Sequence, residues 1–165
     1  GRAVEQLQIS AAPYEGLSIK GDVARTTGQE AGTSKTHDEG ASANLGAKYT
    51  TGMFTVGYYE GGYQDASTTA ESVIYEKQGY SLQIDATDEL SFSISNEEID
   101  QGTRTDVANG STTGTKAHVI NEIDSIQIAY TTGGMTLGLA KIEESNIDFG
   151  STSDDKTVLS VGISF

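Results

Sequence analysis

The residues best equipped for chemistry are His37 and His118, both in polar, glycine-containing stretches with Ser, Asp and Glu nearby. A Ser/His/acid grouping would generate a nucleophile. No serine carries the glycine-flanked elbow that would present its hydroxyl for attack. The expectation is two solvated loop histidines and no enzyme activity. Hard oxygen ligands of the kind calcium takes occur at Glu97-Glu98-Ile99-Asp100 and along Asp148-Phe149-Gly150-Ser151-Thr152-Ser153-Asp154-Asp155. Neither run has the spacing of an EF-hand loop, so solvated acids without metal or cofactor are expected, with calcium at the acidic loops as the alternative. Asn109-Gly110-Ser111 matches a glycosylation sequon, and a plain turn accounts for it equally well. The chain has no cysteine, which excludes disulfides and thiolate metal sites.

Charge says more than any single side chain. The formal net charge is −14, and no Lys/Arg cluster exists to neutralise phosphates, so nucleic acid is not an expected partner. Fifteen acids crowd the predicted loops and strand tips, Asp38, Glu39, Glu98, Asp100, Asp148, Asp154 and Asp155 among them, set against Lys35, Arg104, Lys116 and Lys156. Such a surface concentrates cations and repels anions over about a Debye length.

The elements that must carry these groups are strands. Apolar residues recur at every second position in 4–11, 17–24, 42–50, 53–60, 73–86, 90–99, 119–131, 135–144 and 157–165, the period a strand requires. The alternation stumbles at Glu122-Ile123-Asp124, which predicts a bulge. Short turns at 12–16, 51–52, 87–89 and 132–134 alternate strictly with long polar loops at 25–41, 61–72, 100–118 and 145–156. Pro13 is placed in the first turn, outside the strands. Strict alternation puts every long loop on one edge of the sheet, which is the plan of a transmembrane β-barrel. The apolar fraction is only 35%, and a barrel wrapped in lipid needs no packed core. No apolar run approaches the ~18 residues of a membrane-crossing helix. Gly1-Arg2-Ala3 shows no secretory leader, so the chain is expected to be mature or a piece of something longer. On this plan Lys20, Asp22, Lys48 and Asp85 line the lumen, and Tyr49, Tyr58 and Tyr130 belong to interfacial girdles.

Leu159, Val161, Ile163 and Phe165 alternate with small polar residues to the end of the chain. This pattern resembles the closing strand of Gram-negative outer-membrane barrels, which implies a recognition signal for the barrel-assembly machinery. Tyr14-Glu15-Gly16-Leu17-Ser18-Ile19, the hairpin 44–58 (Asn44-Leu45-Gly46 through Val56-Gly57-Tyr58) and 157–165 together resemble the C-terminal part of a general porin. The resemblance implies a sixteen-stranded homotrimer in the bacterial outer membrane, in contact with lipid and lipopolysaccharide. The nine strands counted here would then be the C-terminal part of one barrel domain spanning residues 1–165, with about seven preceding strands absent. The expected function is passive diffusion of small hydrophilic solutes and ions, favouring cations, with the binding of lipopolysaccharide through bridging divalent ions as the alternative role of the loop acids. A non-channel barrel with binding loops and a soluble all-β binding module are the alternatives.

Overall fold

Extended segments with small polar residues at every other position can satisfy their backbone only by pairing edge to edge. The computed structural model describes residues 2–28, 40–64, 71–107, 111–112 and 119–163, and almost all of them are paired in this way. The strands are β1 (Arg2–Tyr14), β2 (Leu17–Gly28), β3 (Gly40–Thr51), β4 (Phe54–Gln64), β5 (Glu71–Asp85), β6 (Leu90–Val107), β7 (Ser111–Thr112), β8 (Val119–Thr132), β9 (Met135–Ser145) and β10 (Asp154–Ile163). They form one antiparallel sheet in the order β1-β2-β3-β4-β5-β6-β8-β9-β10, with the two-residue β7 folded back on the tip of β6. A short 3-10 turn, Ile147–Phe149, is the one helical element among the described residues. The nine long strands match the sequence expectation. Among the described residues, β1 pairs only with β2 and β10 only with β9, so the sheet is open and has two free edges.

Three details differ from the expectation. The strands on the loop side run further than the alternation suggested: β2 continues to Gly28, β4 to Gln64 and β6 to Val107. Polar residues there still complete the hydrogen-bond ladder, which needs backbone and not apolar side chains. Pro13 lies inside β1 and not in the turn, at the point where the β1–β2 register shifts between Ala11 and Tyr14. An edge strand tolerates its missing N–H. The bulge expected at 122–124 is absent, because the β6–β8 and β8–β9 registers run unbroken through it. Ile123 simply faces the polar side, while Glu122 and Asp124 face the apolar side.

Register that is continuous apart from the shift at Ala11/Tyr14 sorts the side chains into two faces. One carries Leu7, Ile9, Val23, Leu45, Val56, Leu82, Ile94, Ile128, Leu139 and Val161 in cross-strand rows. The other carries mostly serine, threonine, glycine, glutamine and charge. The described residues include no buried hydrophobic side chain at all. Leu159, Val161 and Ile163 of β10 share the apolar face and are 73%, 58% and 63% exposed, while Phe165 lies outside the described residues.

Candidate functional site: the polar face and the fold across it

Period-2 alternation places Lys20, Asp22, Lys48 and Asp85 on the polar face. Lys20 and Lys48 line a cleft of about 650 Å³ with Ser18, Tyr59, Ser81, Gln83, Ser93, Glu97 and Gln127. Asp22 stands one row nearer the loops and accepts a hydrogen bond from Asn44 Nδ2 at 3.0 Å. Asp85 lies apart from the cleft, at the tight-turn end, and accepts from Gln83 Nε2 at 2.7 Å.

Two residues of this cleft escaped the sequence reading. Lys20, Gly46, Tyr59, Gly79, Glu97 and Ile123 are successive cross-strand partners along one row. The Tyr59 ring lies across Gly79, whose absent Cβ would fall 2.5 Å from Tyr59 Cε1. The Tyr59 hydroxyl thereby reaches the Glu97 carboxylate and hydrogen-bonds to it. Parity was the available signal. Glu97 and Glu98 read as one acidic pair, but a strand sends adjacent side chains to opposite faces.

The acids assigned to external loops are therefore distributed differently. Glu98 and Asp100 stand within β6, on the loop-side end of the apolar face, and not in a loop. Glu98 accepts from Gln78 Nε2 at 2.7 Å. Beside them Asn96, 7% exposed, donates to Glu122 Oε1 at 3.1 Å and to Asp124 Oδ1 at 3.0 Å. Asp154 pairs with Lys156 at 3.2 Å at the start of β10, and Glu143, the cross-strand partner of Asp155, pairs with Lys141. Asp148 occupies the 3-10 turn. Asp38, Glu39, His37, His118 and Asn109 lie outside the described residues. Among the described residues, no group of three or more His, Asp or Glu side chains is placed to hold a metal ion. Tyr49, Tyr58 and Tyr130 lie on the apolar face and are 43–49% exposed; Tyr58 pairs across strands with Tyr80.

The connection from β9 to β10 is an ordered fold. Asn121 of β8, 6% exposed, donates from Nδ2 to Glu144 Oε1 at 2.9 Å and to the Asn146 carbonyl at 3.3 Å. Asn146 Nδ2 in turn donates to the Ile120 carbonyl at 2.7 Å, and the Ile147 N–H bonds to the Thr152 carbonyl at 2.9 Å. Asn146, Asp148 and Phe149 all take positive φ, 53°, 52° and 58°. The connection crosses the polar face and sets Phe149 against Tyr75 of β5, with ring centroids 5.6 Å apart. Tyr75 stacks at 6.2 Å on Tyr63 of β4 and accepts at its hydroxyl from Gln101 Nε2 at 3.1 Å.

Asn121→Ala should free this connection without opening the sheet. The change removes both anchoring bonds and leaves the Glu144 carboxylate without its amide donor, a local loss of about 1–3 kcal/mol. Hydrogen exchange at residues 146–150 should accelerate, with strands β5, β6 and β8 unchanged. Equal acceleration in β8 would show that Asn121 supports the sheet itself.

No protein-family model, curated protein or solved structure matches this chain.

Proposed function

We propose that the chain is part of a porin-like β-barrel of a bacterial outer membrane, whose polar face lines a water-filled path for small hydrophilic solutes. The observation that carries this reading is the uncovered apolar face. A single-layer sheet with no buried hydrophobic side chain among its described residues has not removed its apolar surface from water, and folding requires that something does. Lipid is the cover that fits the connectivity. The described turns at 15–16, 52–53 and 133–134 and the bend at 87–89 all lie on one edge, and the described β9–β10 connection lies on the other. The free edges of β1 and β10 call for further strands between them, about seven for a sixteen-stranded barrel. The barrel-assembly machinery and two further copies of the chain are the partners this reading brings.

The path works by size exclusion with an electrostatic bias, and no bond is made or broken. The cleft charges are mixed, with Lys20 and Lys48 facing Glu97. The bias therefore comes from the acid-rich loop side and from a net charge of −14, which favours cations. Protein added to a planar bilayer should give stepwise conductance increments. Under a potassium chloride gradient, the reversal potential should have the sign of cation preference. Absence of steps from protein that stays dispersed in water without detergent would overturn the channel, and an anion-selective potential would overturn the bias.

A further inference from the structure

The aromatic cluster at the loop-side end of the polar face has no part in size exclusion. It is held there with some strain, since a phenylalanine at positive φ is unusual and its neighbours Asn146 and Asp148 share that backbone state. The buried Asn121 and the contact with Tyr75 hold it in place. Strain of this kind points to function where the surroundings over-determine it.

We infer that Tyr63, Tyr75 and Phe149 form a stacking ledge for a neutral saccharide, with Tyr59 as the next aromatic contact further down the same face. The inference rests on the polar face being the solute path. Tyr63 and Tyr75 are direct cross-strand partners, and Tyr59 lies on the same face of β4, about 13 Å along the strand from Tyr63. Aromatic faces shed water readily against the C–H faces of a sugar ring. Hydroxyl groups of the same sugar need neutral donors and acceptors beside the rings. Gln101 supplies an amide at Tyr75, and Ser81, Ser93, Gln83 and Gln127 line the cleft below. The lysines and Glu97 of that cleft leave no dominant sign there, and the polar group bonded to the ledge, the Gln101 amide, is uncharged. Tyr63 is 48% exposed.

The test titrates the purified protein in detergent with maltotriose. The chain has no tryptophan and eight tyrosines, so the ledge's share of the emission change is the part that Tyr63→Ala removes. A saturable change in emission is expected, and Phe149→Leu and Tyr63→Ala should each weaken binding about tenfold, the loss of one stacked ring. Phe149→Leu keeps an apolar contact on Tyr75, so the variant remains informative where truncation to alanine would loosen the connection. In planar bilayers the same sugar should interrupt the current of the wild-type channel, and about tenfold more sugar should be needed to interrupt that of the variants. Intact conductance steps with no emission change and no block would overturn the ledge and leave the channel standing. Saturable emission without conductance steps would keep the ledge and overturn the channel. Binding unaltered by both substitutions would place the sugar elsewhere and overturn the assignment.

Discussion

Ile94→Arg is expected to abolish insertion into lipid vesicles, while Ser93→Arg, one residue away, inserts as well as the wild type. Ile94 is 47% exposed on the apolar face, with Leu82 and Ile126 as its cross-strand partners. If lipid covers that face, an arginine there puts a guanidinium in hydrocarbon. Near the bilayer midplane this costs about 2–4 kcal/mol, a large share of a typical stability of about 5–15 kcal/mol. Ser93 faces the cleft, where an arginine meets water and changes only the conductance. Folding yield into vesicles and heat-modifiable gel migration measure both variants. The contrast is sharper than either result alone, because the two positions are adjacent in one strand and differ in the face they take. A wild-type yield for Ile94→Arg would mean that lipid does not touch this face, and the barrel reading would fall. Loss of both variants would mean that the strand tolerates no long side chain, and the test would then move to Leu82 and Ser81.

How much of this was legible in the sequence follows from which interactions are local. The nine long strands were legible because a period of 2 is a property of consecutive residues, as in Phe92 and Ile94 against Ser91, Ser93 and Ser95. The strand ends were less so. Beyond Arg25 in β2 and Asp100 in β6, the backbone pairing continues, and the mostly polar sequence there leaves no pattern to read. Ile123 was misread as a bulge because an isoleucine on a polar face breaks the rule of alternation without breaking the ladder. The lysines and aspartates of the polar face were legible by parity, but Tyr59 was not recognised. Its role depends on Gly79, twenty residues later, having no side chain for the ring to strike. The β9–β10 connection was invisible for a stronger reason. Phe149 sits in a run of Asp, Gly and Ser that reads as solvated loop. Its contacts are with Tyr75 and, through the backbone, with an anchor at Asn121, residues distant in the chain. Nothing short of the strand order β5-β6-β8-β9 puts them on one surface.

Gly16→Ala should be the most damaging single-methyl change in the described sheet, costing about 3 kcal/mol or more. Two separate penalties add. Gly16 has φ +79°, a left-handed backbone that costs a residue with a Cβ roughly 1–2 kcal/mol. The added carbon would also fall 2.1 Å from the Thr50 carbonyl oxygen and 3.2 Å from its carbon. That neighbour is backbone, fixed in β3, so it cannot swing aside as a side chain would. The Gly16 carbonyl accepts the Thr50 N–H at 2.9 Å, so moving the turn away from Thr50 to relieve the clash also breaks the bond that docks the β1–β2 turn on the end of β3. Gly52 provides the control. It too has positive φ, +54°, but nothing lies within 4 Å of its virtual Cβ, so Gly52→Ala carries only the backbone term, about 1–2 kcal/mol. Urea unfolding of both variants from detergent micelles separates the two terms. A Gly16 loss that exceeds the Gly52 loss by about 1 kcal/mol or more locates the difference in the contact with Thr50. Equal losses would show that the turn slides off β3 at no cost, and that the free edge of β1 is held by its ladder to β2 alone.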